Sequence, residues 1–210
     1  WIAAIMAGTT EAGSRAATSH TGAMASSDQA VEALFRKAGI VRCFGREELT
    51  TVASVFTHKP FKGKNIAIIT HAGGPAVMLT DALVAGGLNT PRITGVDHEK
   101  LLAMMNPGAS ADNPVDLIAT ATSDQLDKVI EYADKQLPVM DSIIVIFGSN
   151  GMIDITEIYD LLHKKIQECN KPVLPILPSI TSSREELEVF MKHGNVIFPD
   201  EVVLGRALTR

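Results

Sequence analysis

Residues 66–78 read IAIITHAGGPAVM, and the fold turns on how that stretch is read. IAIIT (66–70) is an unalternating apolar run, the pattern of a strand covered on both faces. Gly73 and Gly74 let the backbone turn tightly, and Pro75 suits the first position of a helix over 75–86. A helix that starts there presents unpaired N–H groups and its positive dipole end at the carboxyl edge of the strand. Gly73, Gly74, Pro75 and Ala76 are therefore candidate phosphate contacts. The same residues also suit an ordinary strand-to-helix turn. His71, beside them, reads as a polar neighbour of such a site.

The pattern repeats outward from this point. Strands are predicted at 66–70, 90–94, 142–147, 173–177 and 195–198, and helices at 75–86, 97–105, 123–136, 154–169, 183–193 and 200–209. Alternating apolar strands and amphipathic helices predict an α/β fold, a flavodoxin-like doubly wound parallel sheet with its site at the carboxyl ends of the strands. KPFKGKN (59–65) is polar and marked by Pro and Gly, and predicts a boundary between a unit at 1–58 and one at 63–210. In the first unit WIAAIMAG (1–8) reads as a buried strand and IVRCF (40–44) as another. Ser26, Ser27 and Asp28 are N-cap candidates for a helix with Val31, Leu34, Phe35 and Ala38 on one face, ended by Gly39. A second helix is predicted over 47–57. This unit reads as the C-terminal part of a second α/β domain, in a chain that starts mid-domain.

Composition narrows the classes of function. The 210 residues are 46% hydrophobic and 20% charged, enough to bury a core. A net charge of −5, with no basic cluster longer than KGK, argues against nucleic acid as a partner. Cys43 and Cys169 match no zinc spacing, which predicts reduced thiols in a cytoplasmic protein. No apolar run has membrane length, and residues 1–8 lack the basic flank of a signal peptide.

A second stretch, RAATSHTGAMASSDQ (15–29), carries His20 in surroundings of Gly, Ala, Ser and Thr, and predicts a light loop. A neutral imidazole is a good nucleophile towards phosphorus, and Ser19, Thr21 and the Gly22 N–H are donors for the oxygens of a phosphorylated histidine. A surface histidine in a flexible connector would look the same. Glu11 and Arg15 flank it and are placed to orient it or a phosphate. Asn113–Asp116 (NPVD) reads as structural, with Asp116 either holding a loop or facing the site. Ser149-Asn150-Gly151 follows a central strand at the ligand edge. His58, His98, His163 and His193 read as surface residues. No paired carboxylates, nucleophile elbow or metal cluster stands out, so no metal is assigned to this chain.

Taken together, AGTTEAGSRAATSHTGAMASSDQAVEALFRKAGIVR (7–42) and ITHAGGPAVMLTDAL (69–83) resemble the NDP-forming acyl-CoA synthetases, relatives of succinyl-CoA synthetase that include ADP-forming acetate–CoA ligase. NPVDL (113–117) recurs where that family has it. Where the family usually has Asn and Gly before the glycine turn, this chain has His71 and Ala72, which leaves Gly73 and Gly74 as the implied phosphate pair. The resemblance implies that His20 is phosphorylated during turnover and that residues 63–210 form the ligase domain. It also implies reversible conversion of acyl-CoA, ADP and phosphate to acid, CoA and ATP. The implied partners are an ATP-grasp domain or subunit, a CoA-binding domain and an acyl-CoA or carboxylic acid substrate, in an oligomer. No cofactor is expected to bind this chain tightly; CoA, ADP or ATP, and magnesium are expected on the other domains, and the chain alone should not turn over. A rival of another class is a non-catalytic, ligand-sensing domain of a protein acyltransferase. An FMN-binding flavodoxin is a poorer match, because HAGGP lacks the Ser and Thr of its phosphate loop.

Overall fold

The computed structural model describes residues 1–21, 27–149 and 154–210 and divides the chain into two compact units, Trp1–Phe56 with Arg210, and Thr57–Thr209. Gly22, Ser26, Asn150 and Gly151, and the side chain of Thr21, lie outside the described residues. Among the described residues no helix is long and apolar enough to cross a membrane.

The first unit holds β1 (Ile2–Ile5), α1 (Glu11–Thr21), α2 (Asp28–Ala38), β2 (Ile40–Cys43) and α3 (Arg46–Val55). β1 and β2 pair in parallel with Ile2 opposite Ile40. α2 starts where the Ser27 hydroxyl accepts the Ala30 N–H and ends at Gly39, whose φ of 67° suits glycine. Val31, Cys43 and Val52 are the buried apolar residues among those described in this unit, and the buried Arg42 pairs with Asp28 and Glu32.

The loop predicted around His20 is a helix up to Thr21, which corrects the sequence reading. The small residues lack an apolar period, yet alanine is the best helix former and needs none. Polar groups close the ends locally. Thr10 Oγ1 accepts the Gly13 N–H at 3.1 Å, Arg15 pairs with Glu11 at 2.8 Å, and the Thr18 hydroxyl donates to the Ser14 carbonyl.

The second unit continues with β3 (Ile66–Thr70), α4 (Gly73–Ala85), α5 (Val96–Leu102), β4 (Val115–Asp116), α6 (Ser123–Lys135), β5 (Ser142–Ile146), α7 (Ile155–Glu168), β6 (Val173–Ile176), α8 (Arg184–Lys192) and α9 (Glu201–Leu208). The sheet order is β4-β3-β5-β6, every pair parallel, with Ile66 opposite Ser142 and Ile143 opposite Val173. Numbered within the unit this is 2-1-3-4, the flavodoxin-like order. β3, β5 and β6 are buried throughout, as strands between two helical layers are.

Two predicted strands are corrected. Residues 90–94 form no strand; only Asn89 bridges Asn65 there. Pro91 has no N–H to donate, and the Asn113 side chain takes up the neighbouring groups instead, accepting from Ile68 N at 2.9 Å and donating to the carbonyls of Ile66 and Pro91. The place beside β3 belongs to β4, from NPVDL. At 195–198 only a single bridge, Ile176 to Phe198, forms, because Pro199 ends the donors and Asn195 turns its side chain to the Phe190 carbonyl. The helix after β3 starts at Gly73, so Pro75 is its third residue rather than its first.

Candidate functional site

β3 lies between β4 and β5, the two strands that follow it in the chain, and its chain leaves the carboxyl edge between them. That position is where a doubly wound sheet opens a crevice. The turn is short because the Thr70 hydroxyl closes it: Oγ1 accepts the Ala72 N–H at 3.0 Å and donates to the Ala72 carbonyl at 2.9 Å. Ala72 is the N-cap of α4 and has no side chain to accept a hydrogen bond, so no side chain caps the helix. The N–H groups of Gly73 and Gly74 precede the first intrahelical bond, and Pro75 has none. The turn thus presents two backbone donors at a positive dipole end.

The two glycines differ. A Cβ on Gly74 would meet nothing within 4 Å, and its φ is not in the left-handed region, so this residue keeps the approach open rather than relieving strain. A Cβ on Gly73 would sit 3.2 Å from Asp116 Oδ2. Ala76 is buried beneath the turn and supports it from the core.

His71 is half-buried, its ring stacked on Phe147 with centroids 4.2 Å apart, and Nδ1 lies 3.4 Å from the Ile146 carbonyl. Burial holds this imidazole below its ordinary pKa, against the opposing pull of that carbonyl and of Asp116. Asp116 both holds a loop and faces the turn: Oδ1 accepts the Ile118 N–H at 2.9 Å while Oδ2 lies by Gly73. Ile118 has φ 61°, a strained setting for a β-branched residue, two positions beyond Asp116. Ile118 carries no signal in the sequence, and neither does Ser179, whose Oγ accepts the Ser149 N–H at 2.7 Å at the end of the neighbouring strand. The NPVD motif was the one signal here, since it places a carboxylate at the end of the strand beside β3.

In the other unit, His20 is exposed on the last turn of α1. The Ser19 hydroxyl, expected to face a phosphate, donates instead to the Ala16 carbonyl at 2.7 Å. Glu11 and Arg15 are paired with each other on the helix surface. Among the described residues no group of three or more His, Cys, Asp or Glu is placed to hold a metal ion.

Comparison with known proteins accounts for both units. Residues 1–56 match the family model of the succinyl-CoA ligase-like flavodoxin domain, and residues 66–202 that of the ligase-CoA domain. The chain is 32% identical over 197 residues to the alpha subunit of ADP-forming acetate–CoA ligase II of Pyrococcus furiosus, covering 92% of this chain and 43% of that protein. It is 27% identical over 196 residues to the ADP-forming 4-hydroxybutyrate–CoA ligase of Nitrosopumilus maritimus, covering 93% of this chain and 28% of that one. A solved structure of acetyl-coenzyme A synthetase 1 from Ca. Korarchaeum cryptofilum, in complex with phosphate and ADP, superposes with a TM-score of 0.88 at 25% identity, over 99% of this chain and 45% of that one. The chain spans less than half the length of these relatives.

Proposed function

Because the chain belongs to the NDP-forming acyl-CoA synthetase family, we propose that it is the phosphoryl-handling part of an ADP-forming acyl-CoA synthetase. Phosphate attacks the acyl carbon of an acyl-CoA, and CoA leaves as the thiol, giving an acyl phosphate. His20 then attacks the phosphorus, the P–O bond to the acyl group breaks, and the carboxylate leaves. The N–P bond of phosphohistidine finally breaks as a β-phosphate oxygen of ADP takes the phosphoryl group to give ATP. Every step is reversible.

The observation that carries this reading is the uncapped start of α4, with the Gly73 and Gly74 amides at the carboxyl edge of a parallel sheet. Backbone donors of this kind need no reorganisation when a phosphate arrives. His20 supplies the nucleophile, and its exposure at a helix end suits a group that must be reached. Ser19, Thr21 and Gly22 adjoin it as candidate phosphate contacts. Nucleotide with its magnesium, and CoA, belong to an ATP-grasp domain or subunit and a CoA-binding domain, in an oligomeric enzyme. The relatives named above are ligases, which favours this reading over a ligand-sensing one.

The test is turnover of the full-length protein with its partner. An acyl-CoA, phosphate, ADP and magnesium are expected to yield ATP, free acid and CoA in equal amounts. Binding of acyl-CoAs with no ATP from any of them would overturn the catalytic reading.

A further inference from the structure

α7 and α8 meet in two rungs that the spacing of residues along each helix fixes. Tyr159 and His163 are four apart on α7, and Phe190 and the C-cap residue His193 are three apart on α8, so each helix projects its two rings from one face. The inner rung is Tyr159 against Phe190, both buried, with ring centroids 5.8 Å apart. The outer rung is the half-buried His163 against the exposed His193, with centroids 5.0 Å apart and planes tilted by 44°. Gly194, at φ 83°, then reverses the chain, and the buried Asn195 side chain returns to the pair. Its Nδ2 donates to the Phe190 carbonyl at 2.9 Å, while Oδ1 and Nδ2 lie 3.2 Å and 3.0 Å from Nδ1 of His163. The amide oxygen can therefore accept the Nδ1 proton, which leaves a free lone pair on Nε2 of the neutral ring. The His193 ring has no hydrogen bond to another described residue, so its nitrogens are open as well.

We propose that His163 and His193 bind a divalent ion of the zinc class, each through one ring nitrogen, with water completing the coordination. Zn–N bonds are about 2.0–2.1 Å and a ring centre lies roughly 1 Å behind its nitrogen, so two imidazoles on one tetrahedral ion hold their centres about 5 Å apart. The outer rung already has that spacing. A hydrogen bond from the second ring nitrogen to an amide oxygen is the support that fixes the tautomer of a metal-bound imidazole, and Asn195 is placed to give it to His163. No third His, Cys, Asp or Glu joins the pair among the described residues. Two nitrogens without a carboxylate suit zinc, nickel or copper, and not magnesium, which takes oxygen ligands. Because the inner rung is buried, the two imidazoles are held in register before an ion arrives, and the ion clasps the end of α8 to α7. The site stands apart from the phosphate chemistry of α1 and α4.

The experiment is calorimetric titration of the metal-stripped full-length protein with zinc sulfate, beside His193→Ala and, as a control elsewhere in the same unit, His98→Ala. The unaltered protein is expected to take up one zinc ion per chain more than His193→Ala, and His98→Ala to match the unaltered protein. His193 is exposed and makes only the ring contact, so its loss leaves the core intact. Asn195→Ala is expected to weaken the same ion about 10- to 100-fold, the usual cost of removing such an outer partner. In nitrogen-15-labelled protein, zinc should shift the Nε2 resonance of His163 while Nδ1 stays protonated. Identical zinc isotherms for the unaltered protein and His193→Ala would overturn the proposal and leave the two rings as a plain aromatic contact, whether or not Asn195→Ala folds. Magnesium bound at this pair as tightly as zinc, or an equal loss of zinc in His98→Ala, would overturn it too.

Discussion

α1 and α4 each carry one half of the proposed phosphate chemistry, and they are built in opposite ways. α4 is anchored from below, with Ala76, Leu79 and Leu83 buried and α9 packed so closely that a Cβ on Gly205 would come within 2.7 Å of Ala82. α1 has no buried residue at 11–20, and its polar side chains bond to its own backbone or to one another. A backbone anion site works only if its donors are already fixed, which needs a core beneath it. A nucleophile that hands on a group needs access more than rigidity. The comparison therefore separates a fixed receptor from an exposed carrier.

The largest effects should fall on α4. Leu79→Ala removes a fully buried side chain beneath the turn and is expected to cost about 2–5 kcal/mol, read as a lowered denaturation midpoint. A cost under ~1 kcal/mol would mean that α4 is no better anchored than α1. Next comes Gly74→Val, where the structure has open space. Stability should change by no more than about 0.5 kcal/mol, while single-turnover phosphorylation of the full-length enzyme should fall on the order of 10²–10³-fold. Unimpaired transfer in a well-folded variant would reduce the glycine turn to a connector.

Smaller effects sharpen the contrast. Arg15→Ala in α1 loses only an exposed i,i+4 pair and should cost about 0.3–0.5 kcal/mol, less at high salt. His71 gives a pH signature confined to the α4 side. Its folded pKa lies below the unfolded value, so the unfolded chain binds the proton more readily. Stability is then full above the unfolded pKa of about 6.5 and declines as pH falls below it. His71→Asn should flatten that part of the melting temperature profile between pH 7 and pH 5; an identical slope would place His71 in a more solvated setting.

Legibility in the sequence follows the same divide. β3, β5 and β6 are unbroken Val, Ile and Leu runs, and α6, α7 and α8 keep an apolar period, so composition and spacing mark them directly. α1 has no such period: its helix rests on alanine propensity and hydroxyl-to-backbone bonds, which in a stretch of Gly, Ser and Thr look like a loop. β4 was hidden by brevity, since two residues show no pattern, and the strand expected at 90–94 is one that Asn113 and Pro91 forbid. At the candidate site the glycines and His71 could be picked out from one continuous motif. Asp116 facing Gly73 could not, because their proximity comes from the strand order β4-β3-β5 and from a side chain reaching across it.

The central claim, that His20 carries the phosphoryl group on a helix whose fold does not depend on it, is tested most directly by labelling. Full-length protein with its partner is incubated with radiolabelled ATP and magnesium, beside His20→Ala. The account predicts an acid-labile, alkali-stable phosphate on the unaltered protein, its complete loss in the variant, and folding stabilities that agree to within about 0.5 kcal/mol. Label that persists on the His20→Ala protein would contradict it and move the nucleophile elsewhere, with His71 the first residue to substitute next.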